Sequence, residues 1–498
     1  MSTRALEKLV AILVGCLAAP LMAPAQATSS PASSSDQSMA DTAWQALTRA
    51  DVDAAYRLLK DNHPAAAPEA NDPAFVTALD RGHRQALLRA DTVRTMDGYT
   101  ATLREFANSM RDGHISSAAK YSSDDFYWAG IITAKRGGKW VVATENMDIV
   151  GTELTGAEIT SCDGEPIADV ARRVMSFRSA AGSEAGQILR GGRVLLDDGN
   201  PFLRRPLSCS FNRGGTIESV KLNWQKTDGP ALQKSFWKSA AGDAGFGVRR
   251  VGSGYWIGLA SLDSGVDAVI DQVNRSAADI RSASFVVVDL RGNGGGNDRY
   301  GVKLASALYG SAYVDGRVGS DEGVCPSAFR VSQANIAAVV EGIEAFQKSG
   351  DTDGASFYKA ALQKMRAAQA NGENFSAPST CPGTSQKPVH GRSLISAPVI
   401  VLTDVARFSS CINVVKDFRD LGAVQAGQIT GDDTHYSESR EVMLPSGLSW
   451  FGLMMAIMPD APARIGPFEP SIPYEGDMAD TTALESWLPR QILRAPRE

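Results

Sequence analysis

Histidine is scarce in this chain, with five among 498 residues, so any chemistry that needs an imidazole must choose between His63, His83, His114, His390 and His435. Cysteine is nearly as rare, at six, and neither a Cys-x-x-Cys pair nor a His-Glu-x-x-His motif occurs; no metal site and no cofactor are expected. No Lys/Arg-rich stripe with interleaved aromatics occurs, and the formal charge is -6, which excludes a nucleic-acid partner. No apolar run reaches the roughly eighteen residues that a membrane span needs. No lysine follows Lys416. That last absence bears on mechanism, as argued below.

What is present is a chain with the composition of a globular protein, 43% hydrophobic and 21% charged, long enough for two or three cores. Residues 1–27 read as a signal peptide: Arg4 and Lys8, the run LVAILVGCLAAPLMA, then Ala25-Gln26-Ala27, with the mature chain starting near Thr28 and a periplasmic or secreted location. Leu13-Val14-Gly15-Cys16 also fits a lipoprotein box, but the residues after Cys16 stay apolar, which favours soluble export. Residues 28–40, TSSPASSSDQSMA, read as a flexible tether. Export permits disulfides, and the expected pairs are Cys162 with Cys209 and Cys325 with Cys381, leaving Cys411 on a buried helical face.

Periodicity divides the remainder. Residues 41–120 carry apolar positions at helical spacing and read as a helical N-terminal domain. Residues 121–230 hold short alternating runs, GIITAK, KWVVAT and VKLNW, between glycine-rich turns; GTELTGAEITSCDGEPIADVARRV adds a strand, an Asp-Gly turn and a helix, and resembles part of a PDZ domain. Residues 240–498 alternate buried strands (YWIGLA, FVVVDL, VIVLTD) with helical patterns, which predicts a mixed α/β, multidomain chain with a βαβ-containing core; an insertion at 310–395 is rich in helix formers from Gln333 to Ala370.

The stretch FVVVDLRGNGGGND, residues 285–298, needs an account of its bare backbone. Counting from Gly292, the sixth position of a dinucleotide fingerprint is Asn297 rather than glycine, and no Gly-Lys-Ser/Thr closes a phosphate loop. The remaining chemical reading is a loop whose N–H groups converge on a point charge, an anion nest or an oxyanion hole. APVIVLTDVARFSSCINVVKDFRDLG, residues 397–422, repeats the passage from buried strand through turn to helix and puts Ser409 and Ser410 at a helix N-terminus, where unpaired N–H groups favour developing negative charge. Ser409 taken alone reads as a helix cap. Among the histidines, only His114, in MRDGHISS, and His435, in GDDTHYSES, sit where a base could serve a serine.

DLRGNGGG, then ARFSSC on a strand-to-helix turn, then AGQITGDDTHY and EVMLPSG, together with MRDGH upstream, resemble the S41 serine peptidases, the tail-specific processing proteases and the tricorn core. The resemblance implies a ClpP/crotonase-like peptidase core, peptide or unfolded-protein substrates, Ser409 as nucleophile and an oxyanion hole from Gly294 or Gly295 with Ser410. Ser-Lys members carry a base lysine after the nucleophile helix, where this chain has Asp432 and Asp433. Lys416 lies about 10 Å along the helix from Ser409, too far for proton abstraction. The tricorn-like branch takes its base from an Asp-Gly-His-like motif, which falls on His114. The family's usual glutamate after the nucleophile is replaced by Ile412 or Asn413, so the carboxylate orienting the imidazole falls to Glu469, with Asp112 as the alternative. The opposing expectation is a noncatalytic periplasmic protein that binds peptides or apolar ligands on the same fold. Nothing in the sequence sets an oligomeric state.

Overall fold

A computed structural model describes residues 34–121, 126–178, 184–318, 327–378, 391–406, 409–459 and 461–492. The first helix spans Ser34–Asn62, and residues 28–33 of the expected tether lie outside the described residues. Residues 41–498 form one compact unit.

The centre of that unit is a six-stranded sheet in the order Phe246–Val251, Gly254–Leu259, Val286–Asp289, Val399–Thr403, Val424–Gly427, Ile472–Pro473. The first pair is antiparallel and the rest are parallel. Both faces are covered, which is why the parallel strands read as continuous apolar runs. Val286, Val288 and Val401 pack on one face against Val414, Val415 and Phe418 of the helix Ser410–Asp420, with Cys411 buried among them. Val287, Ile400 and Leu402 pack on the other against Leu484 and Leu488 of the helix Thr481–Ile492. Alternation along each strand therefore divides one apolar run between two cores.

A second sheet is built on Ser449–Ile457, which pairs antiparallel with Ser116–Ala119, Tyr436–Met443 and Ala328–Phe329. The lead helices do not bury their apolar faces against one another alone. Leu59, Leu103 and Phe106 share a core with Phe451 and Leu453 of this sheet. The helix-rich part of the insertion forms two helices, Gln333–Ser349 and Thr352–Ala370, broken at Gly350, whose φ of 80° suits glycine.

The β-rich region forms an antiparallel sheet ordered Ile131–Arg136, Lys139–Glu145, Glu158–Cys162, Ser208–Arg213, Thr216–Lys221, with the helix Ile167–Met175 packed on it. Cys162 and Cys209 are cross-strand partners and form the expected disulfide. Cys325 and Cys381 lie outside the described residues. Among the described residues, no helix is long and apolar enough to cross a membrane.

Three neighbouring parallel strands end side by side, with Asp289 opposite Leu402 and Thr403 opposite Gly427. The glycine stretch, the Ser409 turn and the 428–435 segment thus all leave the carboxyl edge of one sheet, the place where open α/β folds put their chemistry.

Candidate active site

Two buried carboxylates shape this edge. Asp289, at the end of its strand, is wholly buried and grips Arg291: both carboxylate oxygens accept from the guanidinium, at 2.7 to 3.1 Å, and Oδ1 accepts the Arg291 N–H. Trp256 Nε1 donates to the same carboxylate at 2.8 Å and Arg291 Nη1 donates to the Met478 carbonyl, so every polar group of this buried ion pair has a partner. The consequence is a fixed exit for the glycine loop.

Asp404, at the end of the adjacent strand, is equally buried. Its Oδ2 accepts N–H groups from Gly292 at 3.0 Å and from Gly242 at 2.8 Å, while Oδ1 accepts from Ala406 at 3.0 Å. One carboxylate therefore ties the glycine loop to the turn that leads to Ser409. Asp289 and Asp404 went unassigned in the sequence. The available signal was that VVVD and IVLTD both end a buried run on an acid.

Within the glycine loop, Gly292 has φ 73° and Gly295 φ 113°, conformations that side chains disfavour. Gly295 N–H donates to Asn293 Oδ1 at 2.9 Å, and the Asn293 side chain donates in turn to the Leu259 carbonyl. Gly295 is thus committed to holding the loop. Of the two glycines expected to face an oxyanion, only Gly294 has an N–H with no hydrogen bond among the described residues, and the space beside its α-carbon is open. Asn413 Nδ2 donates to Asp298 Oδ2 at 3.0 Å, fastening the end of this loop to the helix Ser410–Asp420.

Ser409 sits immediately before that helix with φ 55° and ψ -144°, one of the few non-glycine residues with positive φ. Its side chain makes no capping hydrogen bond, so it is not the cap that a serine at such a position ordinarily is. A strained serine on a strand-to-helix turn, its hydroxyl unspent, is the arrangement of a nucleophile elbow. Ser410, the first residue of the helix, presents one of the unpaired N–H groups of the first turn.

His114 lies in the turn before Ser116–Ala119. Its Nδ1 is 3.3 Å from Asp112 Oδ1 and 3.3 Å from Asp433 Oδ1. Asp112, 2% exposed, also accepts the His114 backbone N–H at 2.8 Å and the Thr434 hydroxyl at 3.0 Å. Burial pulls the His114 pKa down, but the bond to Asp112 and the charges of Asp433 and Asp112 outweigh it and set it above the ordinary value. Burial works in the opposite sense on Asp112, yet its contacts with His114 hold it below the usual carboxylate value. Asp433 is pushed up by burial to about 6.

The other histidines are occupied elsewhere. His63 is fully buried, stacked on Phe75, with its pKa lowered by burial to about 4. His83 bonds Asp53 at 2.7 Å and stacks on Tyr56. His435 packs edge-on against Tyr436, has no carboxylate at ion-pair distance among the described residues, and is lowered by burial. His390 lies outside the described residues.

Glu469 does not meet the imidazole. Its side chain is exposed, and its backbone carbonyl accepts from Arg419 at 3.2 Å. The carboxylates at Nδ1 are those of Asp112, the alternative drawn from sequence, and Asp433, which sequence had marked only as standing where a lysine was absent. Asp112, Gly113, Val405, Asp433 and Thr434 line one cavity of about 690 Å3, which brings the His114 loop to the strand end that leads to Ser409. The Ser409 hydroxyl and the imidazole are not hydrogen-bonded to one another here.

Residues 256–451 match the model of peptidase family S41. Among solved structures, mature CPAF aligns with a TM-score of 0.61 at 13% identity, covering 91% of this chain and 98% of its own. CPAF complexed with lactacystin aligns with a TM-score of 0.60 at 13% identity, covering 91% and 99%. At that identity the likeness is one of fold. No curated protein sequence matches the chain. The matched residues include the glycine loop and the Ser409 turn.

Proposed function

We propose that the chain hydrolyses peptide bonds through an acyl-enzyme on Ser409, with His114 as general base and Asp112 orienting it. The observation that carries this reading is Ser409 itself: strained, uncapped, and joined through Asp404 to a loop that leaves the Gly294 N–H open. Nδ1 lies 3.3 Å from both Asp112 and Asp433, and in this reading Nε2 takes the serine proton and returns it to the leaving amine. Gly294 N–H and Ser410 N–H would receive the tetrahedral oxyanion, each such donor contributing on the order of 3 kcal/mol. Hydrogen bonds between nucleophile and base are often absent from resting sites and close on substrate, which accommodates the separation of Ser409 from His114.

The same separation favours the second reading, a noncatalytic peptide-binding protein. A fluorophosphonate probe divides them: labelling of the folded protein that disappears in Ser409→Ala supports the peptidase, and its absence supports the binder. We further propose that the protein acts outside the cytoplasm, since the Cys162–Cys209 disulfide supports an oxidising location. Sequencing the mature N-terminus, expected near Thr28, tests this.

A further inference from the structure

The cavity beside the His114 loop is also lined by Arg178, Arg190 and Arg193, by Arg104, and by the rings of Phe177 and Phe236. These cations are poorly balanced. Asp112, Asp432 and Asp433 line the same cavity but are engaged at His114 and Arg464, and among the described residues Asp198 is the one carboxylate at ion-pair distance from these four arginines, 3.2 Å from Arg178 and 3.7 Å from Arg104. Arg178 is 6% exposed and structural: it donates to the Arg193 and Leu196 carbonyls at 3.1 and 2.9 Å, while its Nε has no partner. Arg193 reaches only the neutral Gln233 Oε1, at 2.7 Å, and lies over the Phe236 ring. Arg190 makes no ion pair or hydrogen bond among the described residues.

Burial, and after it the charges of its Arg190 and Arg178 neighbours, push Arg193 down to about 10. Arg190 is lowered likewise, by burial first and then by Arg178. Six arginines and four aspartates line the cavity, and on the wall of Arg104, Arg178, Arg190 and Arg193 only Asp198 is at ion-pair distance among the described residues, an excess of positive charge that is relieved when an anion enters. Guanidinium is the side chain best shaped to hold a carboxylate, through paired N–H donors. The aromatic rings on the same wall suit an acid flanked by apolar residues rather than a bare inorganic ion.

We propose that this recess is a substrate subsite for acidic side chains, read by Arg190 and Arg193. It rests on the peptidase reading, because the same cavity reaches Asp112, Val405 and Asp433. The inference therefore names the substrate class as acidic peptides.

The test uses quenched-fluorescent peptides, amidated at the C-terminus, in which a single Glu is walked through each position and matched by a Gln counterpart. For the wild-type protein the Glu/Gln ratio of kcat/KM should reach about tenfold at one or two positions, the scale of a charge-assisted hydrogen bond. In Arg190→Gln and Arg193→Gln that ratio should fall toward one. A ratio is indifferent to partial misfolding, which lowers both peptides alike. Anisotropy of the same peptides on Ser409→Ala provides a reading without turnover.

Cleavage with no Glu preference at any position would overturn the acidic subsite and leave the peptidase standing. So would a preference that follows a free C-terminal carboxylate instead of the side chain. Glu-selective binding without cleavage, lost in the arginine variants, would support the subsite and reject the peptidase. Neither binding nor cleavage would overturn both.

Discussion

Asp112 holds His114 twice: its Oδ1 accepts the His114 backbone N–H at 2.8 Å and lies 3.3 Å from the Nδ1 of the same residue. The carboxylate is itself pinned by the Thr434 hydroxyl. A carboxylate beside Nδ1 favours the tautomer that carries its proton on that nitrogen.

The pH dependence follows in sign. A general base must be neutral, and the His114 pKa is raised above 6.5, so kcat/KM is expected to rise with pH through a midpoint above that value. The same raised pKa contributes stability that is present below 6.5 and is lost as pH climbs through the folded value. Asp112→Asn should move the midpoint to lower pH and lower the plateau by about 10²-fold or more. Profiles from acid to mildly alkaline pH check both, and an unmoved midpoint would remove Asp112 from its role. Glu469→Gln is the comparator, expected to leave the midpoint in place. A loss equal to that of Asp112→Asn would put the Glu469 carboxylate beside the imidazole in the working state.

Ser409 makes a separate prediction about stability. Its hydroxyl caps nothing, so Ser409→Ala should abolish turnover and probe labelling while leaving the unfolding free energy almost unchanged. Its φ of 55° strains any residue with a β-carbon, so Ser409→Gly should be more stable than Ser409→Ala by about 1 kcal/mol. Denaturant titration of the two inactive variants measures that difference. The reverse order would mean that the turn is not strained.

Much of this arrangement was legible in the sequence because it rests on short-range pattern. VVVD and VIVLT are continuous apolar runs, so the parallel strands and the helix after Ser409 could be placed, and with them the glycine loop and the serine turn. What was not legible depends on contacts between distant segments. Asp433 reaches His114 across more than three hundred residues of chain, and Asp404 reaches Gly242 over 162. No local period encodes either. Glu469 was chosen for its charge and motif order, but its placement depends on how the 464–473 segment lies on the sheet edge. The core shared between the lead helices and Phe451 was hidden for the same reason, since each half looks self-sufficient to a reader of periodicity.

The disulfide should act on stability alone. Cys162 and Cys209 are 47 residues apart and staple two neighbouring strands of the antiparallel sheet, away from the residues assigned to chemistry. Loop-closure entropy for that separation corresponds to about 4 kcal/mol. The Cys162→Ser/Cys209→Ser protein should unfold at lower denaturant, and kcat on a small peptide should be retained at low temperature. Loss of kcat in a still-folded double variant would mean that the sheet positions the site.

Asp404 offers the sharpest separation of positioning from chemistry, because it touches no reacting atom. Its carboxylate receives N–H groups from Gly242, Gly292 and Ala406, and so sets the distance between the glycine loop and the serine turn. Asp404→Asn keeps the shape but turns one acceptor into a donor facing N–H groups, which leaves at least one buried donor unsatisfied at a cost of about 1–3 kcal/mol. If the oxyanion site depends on that distance, kcat should fall by about 10²-fold while KM changes little, since the lost interaction exists only in the transition state. Measuring both constants beside the unfolding free energy decides the matter. A destabilised variant with unchanged kcat would mean that the Asp289–Arg291 pair alone holds the glycine loop, and that Asp404 serves the fold rather than the reaction.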